Sequence, residues 1–519
     1  MNAFASPAPL LPEILALHGK WRGSREAVIC EDQRLDWAAF TAANHRMAHG
    51  LIAAGVRPGD RVGIVMSNGL PMLHALFGTL AAGAACVPIN LSVSDDAAVS
   101  MLRDADIAAL VATDDQVGRL ANRLGELPDG LRLLLTETPP DSRWQGLADF
   151  MADRSGSYPG VTIADEAPIN IIYSSGTTGL PKGIVHSHRG RLDWAYDLGL
   201  ALRYHGGART LLTIGLYSNI SWVSMLCTLL AGGTLVLHRR FDARDFLDTV
   251  RQERVTHTSM VPIQFQRVLE ALDKQRDSLA SMQAMMSCGS PLREELKRKI
   301  FEAFPCGIIE LYGLTEGIIT TLDPEDAEGR WSSVGKPLLG TDIRIVDDAG
   351  QEVSAGESGE VVSRGRITMP GYWQRDDANA EASLVDEAGV QWIRSGDIGK
   401  LDGEGFLYIV DRKKDMILSG GQNIYPQDIE AVLVQHPAVN DVAVIGAPST
   451  RWGETPIALV VAEPGQKQDP PELLDWANQH LGKQQRLADV LLVDSLPRNP
   501  NGKILKRELR GDYAEKTYD

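Results

Sequence analysis

The chain has 519 residues, 44% of them hydrophobic and 23% charged, which suits roughly three or four compact units of about 150 residues and excludes a lone small binding module or a disordered chain. Lys and Arg number 51 against 68 Asp and Glu, a formal charge of −17, so the surface as a whole repels phosphate backbones and anionic lipid, and no nucleic-acid partner is expected. One small polyanionic ligand is not excluded, because a local lysine, a metal ion and oriented N–H groups outweigh distant diffuse charge.

From residue 37 the chain alternates a helical pattern (37–55), a turn (56–60), an apolar run (61–66), a further helix and the apolar run 85–89. Apolar runs return at 107–112, 210–216 and 233–238, each near a helical stretch, which predicts largely parallel buried strands covered by helices. The most apolar segment, 222–237, is broken by Thr228, Gly232, Gly233 and Thr234; it is too short to span a membrane and reads as a buried helix, a Gly-Gly turn and a strand. After Gly335 the texture changes to short β-like runs (341–350, 359–365, 391–412), a small β-rich subdomain. Beyond Lys414 come a helix (426–435), strands (439–446, 455–463), an amphipathic helix (471–481) and a strand (488–496), a tail of about 100 residues that can fold as its own unit. Cys30, Cys86, Cys227, Cys288 and Cys306 lack CxxC or zinc spacing, and neither end carries a readable address, so free thiols and a cytoplasmic protein are expected.

The densest chemical signal runs from Tyr173 to Gly183 between two apolar runs. Glycines Gly176 and Gly179 let backbone N–H groups converge, Ser174, Ser175, Thr177 and Thr178 add hydroxyls, and Lys182 adds a point charge, together an anion nest. A surface loop rich in turn formers is the plain alternative. The Walker pattern is not met, because counting from Gly176 puts Pro181 where its second glycine belongs. Further strings follow at 287–292 (with Gly289, Ser290 and Pro291), at 310–317 (ELYGLTEG), at 394–397 (RSGD), at 411–426 and at 497–503 (PRNPNGK).

In order and spacing these six strings resemble the adenylate-forming superfamily, which contains acyl-CoA synthetases, peptide-synthetase adenylation domains and beetle luciferase. The resemblance runs from about residue 10 to residue 510. It implies an α/β fold: a large N-terminal domain (1–412) of stacked α/β sheet subdomains plus a small β-barrel subdomain, and a small mobile α+β C-terminal domain (413–519) hinged at Lys414. It implies ATP, Mg²⁺ and CoA as acyl acceptor. The activity would be attack of a carboxylate on the α-phosphate of ATP, releasing pyrophosphate, then transfer of the acyl group to a thiol. Residue by residue, Lys182 and the loop 174–179 would serve the leaving pyrophosphate, and Glu316 the metal. Thr315 would meet the α-phosphate, Tyr312 would stack on adenine opposite 289–291, and Asp397 would accept from both ribose hydroxyls beside Arg412. Lys503 would bridge the attacking carboxylate and the α-phosphate, and Gly420 and Gly421 would line a pantetheine channel. Composition alone would instead leave Lys503 in an exposed basic terminus, KILKRELR.

Substrate choice is expected between the segment 215–222 and the strand entering Tyr312, with Ser218 at the family's gate position and Ile220, Trp222, Gly313 and Ile318 in an apolar slot. Each of these could equally belong to the core. Nothing from Leu216 to Ser224 is acidic, so an α-amino acid, whose ammonium would lack a counter-ion, is a poor candidate. An aryl or medium-length carboxylate fits, with loading of a carrier-protein phosphopantetheine thiol as the alternative to free CoA and a homodimer left open.

Overall fold

The computed structural model describes residues 8–173, 181–274, 276–420, 422–466, 469–483, 485–498 and 503–518. The chain divides into two compact units, one of residues 1–331, 337–342 and 364–383, the other of 332–336, 343–363 and 384–519. The anticipated boundary at 412/413 falls inside the second unit.

Two sheets build the first unit. One runs Gln33–Asp36, Glu26–Cys30, Thr234–Leu237, Arg209–Leu212, His257–Met260, Ala284–Ser287, Ile309–Leu314, Ile318–Leu322, with every neighbour parallel from Glu26–Cys30 to Ile309–Leu314. The other runs Gly371–Tyr372, Gly183–Ser187, Pro168–Tyr173, Ala85–Pro88, Arg61–Val65, Ala109–Ala112, Leu133–Thr136, Gln145–Gly146, parallel from Pro168–Tyr173 onward. The β runs of the sequence are therefore central strands, buried on both faces. Helices between them start where a side chain can accept a free N–H: Asp36 caps Trp37–Ala53 through Ala39 N (2.7 Å) and Ser187 caps His188–Ala201 through Gly190 N (3.0 Å). Trp37, Phe40, Met47, Leu76, Leu198, Trp222 and Leu226 from four helices pack against Val62, Ile64, Leu212 and Leu235 from both sheets. Each such side chain contributes about 1.5–3 kcal/mol by leaving water. The 222–237 segment is as expected: the helix Asn219–Ala231 ends at Gly232 and Thr234–Leu237 follows.

Thr341–Val346, Gly359–Gly365, Gln391–Leu401, Ser383–Val385 and Leu407–Arg412 form one sheet, most of whose residues belong to the second unit. Ile417–Ser419, Gln422–Ile424, Val439–Ser449, Gly453–Ala462 and Asp489–Leu492 form another, flanked by the helices Pro426–Leu433, Pro470–His480 and Lys506–Tyr513. The basic end KILKRELR is thus largely helix rather than loose chain. Lys506 pairs with Glu430 at 2.8 Å and Arg510 pairs with Asp415. All five cysteines are free thiols, and no helix among the described residues is long and apolar enough to cross a membrane.

Candidate active site

Parallel strands leave their carboxyl ends open, and in α/β sheets ligands collect there. The motif residues of the first unit stand at such an edge. Ala284–Ser287 is followed by Gly289, Ser290 and Pro291, and its parallel neighbour Ile309–Leu314 carries Tyr312 and Gly313 and leads into Thr315 and Glu316. The register Ser287 to Glu310 starts the two segments side by side. A side chain at Gly313 would meet Ile318 O at 2.5 Å, so this strand can turn back into Ile318–Leu322 only with glycine there. Gly317 adopts φ +104° with Ile367 O 2.4 Å from where a Cβ would stand, which fixes the turn bearing Glu316.

Two residues the motif reading passed over hold this turn. Tyr372 Oη donates to Glu316 Oε1 at 3.0 Å, and burial with the nearby carboxylate pushes the phenol well above its ordinary range. Lys182 Nζ sits 5.1 Å above the Tyr372 ring and 3.7 Å from Glu381, so Lys182, Tyr372 and Glu316 are one connected group. His186 is the second residue: its Nε2 lies 2.8 Å from Thr315 O. A carbonyl only accepts, so the proton is on Nε2. Burial, then Arg191, drives the imidazole pKa far down, which keeps the ring neutral and makes Nδ1 an acceptor for Arg191 Nη2 at 3.1 Å. Asn170, 2.9 Å from Nδ1, fits the same tautomer with its amide turned over, which also gives its otherwise unpartnered Nδ2 a role. Sequence carried a faint signal for Tyr372, an aromatic pair after a glycine at 371–373, and none for the His186 cluster.

Ser174, Ser175, Gly176, Thr177, Thr178 and Gly179 lie outside the described residues, and so does Gly421. The two ends of the first segment are described: Tyr173 pairs with Gly183, and Tyr173 Oη donates to Asp104 at 2.5 Å. Of the expected substrate positions, Ser218 is the N-cap of Asn219–Ala231, its Oγ 3.3 Å from Ile220 N. The bulky residue of that turn is its neighbour Tyr217, whose ring lies over Gly215. Ile220 and Trp222 belong to the main core, Trp222 fully buried with Nε1 donating to Leu216 O at 2.9 Å, and Ile318 is fully buried.

In the second unit Asp397 and Arg412 are cross-strand partners with Arg412 Nε 2.6 Å from Asp397 Oδ1. Asp397 is 2% exposed, and its N–H donates to Ser395 Oγ at 2.9 Å. Lys503 and Lys414 act on the same pair. Burial first and Arg412 second lower both ammonium groups to about 8, against the pull of Asp397 and Asp415. Arg412, Lys414 and Lys503 thus face Asp397 and Asp415, a surplus of positive charge that suits an anionic ligand. Gly420 N donates to Trp452 O at 2.9 Å beneath the half-exposed Trp452 ring, an aromatic that sequence reasoning missed. No group of three or more His, Cys, Asp or Glu able to hold a metal stands among the described residues.

The chain matches known proteins along most of its length. The AMP-binding enzyme model matches residues 18–373 and the AMP-binding enzyme C-terminal domain model residues 428–503. The chain is similar to a feruloyl-CoA synthase of Amycolatopsis sp, 35% identical over 489 residues, with 92% of this chain and 94% of the relative covered. It is also similar to the fatty acid–[acyl-carrier-protein] ligase ScoC of Streptomyces coeruleorubidus, 32% identical over 98% of both chains. Its fold is similar to that of o-succinylbenzoate CoA synthetase (MenE) from Bacillus subtilis in complex with the acyl-adenylate intermediate OSB-AMP: TM-score 0.84, 29% identity, 96% of this chain and 98% of that one. With matches running from residue 18 to residue 503, this chain belongs to the AMP-binding enzyme family.

Proposed function

We propose that the protein is an AMP-forming acid:CoA ligase, which activates an apolar carboxylate, aryl or medium-chain, with ATP and passes the acyl group to the CoA thiol. The observation that carries this is the buried Asp397 paired to Arg412 with Lys503 acting on both. It combines an acceptor-only group suited to two ribose hydroxyls with a cation suited to an α-phosphate.

In the first step an oxygen of the substrate carboxylate attacks the α-phosphorus. The new O–P bond forms as the bond to the bridging oxygen breaks, and pyrophosphate leaves. Two anions must approach, so the chemistry lies in placing positive charge and donors where negative charge gathers. The Lys503 ammonium spans the attacking oxygen and an α-phosphate oxygen, the Thr315 hydroxyl donates to the α-phosphate, and Lys182 with residues 174–179 takes the pyrophosphate. Tyr312 and Gly289, Ser290 and Pro291 hold the adenine between them. Glu316 is half-buried, bonded through one oxygen to Tyr372 and paired to no protein cation among the described residues. That fits Mg²⁺, which takes one or two carboxylates and completes its shell with phosphate and water. Bound there, Mg²⁺ would neutralise phosphate charge.

In the second step the thiol sulfur attacks the acyl carbonyl carbon, the S–C bond forms, and AMP departs with the bond electrons. Lys503 is not needed there. Residues 413–519 turn about Lys414 relative to 1–412, bringing Gly420 and Gly421 to the thiol, while Ser218, Ile220, Trp222, Gly313 and Ile318 bound the acyl slot. A cytoplasmic homodimer belongs to the same proposal. Loading of a carrier-protein thiol is the second reading, and the similarity to ScoC favours it. The test is a panel of carboxylic acids with ATP and Mg²⁺, read by pyrophosphate release, then free CoA read by thioester absorbance. Pyrophosphate without thioester from free CoA moves the assignment to a carrier protein; no pyrophosphate with any acid overturns both.

A further inference from the structure

Arg191 is an anomaly that the reaction so far leaves unused. It lies in the first turn of His188–Ala201 and is 1% exposed. Its Nη2 uses both hydrogens, one on Asn219 Oδ1 at 2.7 Å and one on His186 Nδ1 at 3.1 Å, while Nε has no acceptor. The guanidinium stacks 4.4 Å from the Trp194 ring and 5.7 Å from that of Trp222. Among the described residues no carboxylate is paired with it. Asp197, deeper in the same helix, is fully buried and is taken by Arg366. Burial drags even this guanidinium down to about 9.

Buried cations are normally found with a counter-ion, because a lone charge in a dry site is among the costliest groups a fold can hold. Two aromatic faces and two neutral acceptors lessen that cost without supplying the missing negative charge. The place where the charge is missing is informative. Arg191 is two hydrogen bonds from Thr315 by way of His186, and it reaches the first residue of Asn219–Ala231, the helix assigned to the acyl slot. A residue joined both to the α-phosphate loop and to the acyl helix stands where the substrate's far end would come.

We infer that Arg191 receives a second carboxylate of the acyl substrate, so that the acid activated here is a dicarboxylic acid with a short, largely apolar body. This rests on the ligase reading above and narrows its substrate class. The reacting carboxylate goes to Lys503 and the nucleotide; the distal one completes the ion pair that Arg191 lacks.

The test uses matched acid pairs in which a distal methyl replaces the distal carboxylate, aliphatic and aromatic, with the full-length protein. Pyrophosphate release should favour the diacid by on the order of 10²-fold in kcat/KM, because a site built around a buried donor rejects the analogue that leaves it unpaired. Arg191→Leu should erase that preference by weakening diacids while leaving monoacids equal or better. Asn219→Asp guards against a folding artefact, since it places a carboxylate of the protein beside the guanidinium: it should raise the melting temperature and also lose the diacid preference. Melting-temperature shifts with each acid in the absence of ATP give a readout independent of turnover, and only diacids should stabilise the wild type. Monoacids working as well as diacids overturns the inference, and so does an equal loss for all acids in Arg191→Leu, which would make Arg191 a positioning residue for Thr315. Diacid-specific stabilisation without pyrophosphate release from any acid would overturn the ligase reading and leave the Arg191 site standing; neither signal would overturn both.

Discussion

Adenylation should switch off in mild alkali, and Lys503 should be the reason. Its ammonium is useful only while protonated, and burial with Arg412 nearby holds it at about 8 rather than near the ordinary lysine value. With that value about 90% of the free enzyme carries the proton at pH 7 and about 10% at pH 9. The kcat/KM for ATP, which reports the free enzyme, should therefore fall about tenfold between pH 7 and pH 9. A lysine at its ordinary pKa would lose under about a tenth over the same span. Pyrophosphate release at saturating acid, sampled in half-unit steps, measures the limb. Lys503→Arg, slower overall, should carry the limb beyond pH 10 because guanidinium stays charged, and Lys503→Ala should lose about 10²–10³-fold at pH 7 while still forming thioester from supplied acyl-adenylate. Lys414 titrates in the same range, so Lys414→Arg is the control that should leave the limb in place. A flat wild-type profile to pH 10, or an unmoved limb in Lys503→Arg, refutes the assignment.

Tyr372→Phe removes the hydrogen bond to Glu316 and should lower kcat for pyrophosphate release about fivefold to tenfold, roughly 1 kcal/mol, with little change in melting temperature. Gly317→Ala forces a Cβ onto Ile367 O at a positive φ; a loss of about 2–4 kcal/mol in unfolding free energy is expected by denaturant titration. Lys414→Pro restrains the backbone at the proposed pivot, so single-turnover assays should show acyl-adenylate forming and thioester formation stalled. Equal retention of both steps would remove Lys414 from that role.

Strand and helix order was legible because buried parallel strands leave unmistakable apolar runs at 61–66, 107–112 and 233–238, and because Gly232 and Gly233 mark the end of the helix before the last of them. Asp397 and Arg412 were legible as motif residues, and the structure shows why they act together: they are opposite each other across two antiparallel strands. What stayed hidden was long-range. His186 and Thr315 are 129 residues apart, Tyr372 and Glu316 are 56 apart, and no local periodicity brings such pairs together. Arg191 was invisible for a different reason: a charged residue four positions after a helix cap reads as surface, and only the tertiary fold buries it between Trp194 and Trp222. In the turn before Asn219–Ala231, Ser218, which stands at the family's gate position, is a cap, and the aromatic bulk lies one position earlier at Tyr217.

Asp411 gives the strand end at Arg412 a second face. Its side chain accepts from Arg412 N at 2.7 Å and from Gln427 N at 3.0 Å, the latter an otherwise open amide of Pro426–Leu433. Successive residues of a strand point opposite ways, so Arg412 is directed to Asp397 while Asp411 fastens the next helix. A swing about Lys414 would have to unclip that fastening, forfeiting about 1 kcal/mol for the bare helix end. With Lys414 as the pivot, the joint would act as a detent rather than a free swivel, giving the tail a preferred resting stop.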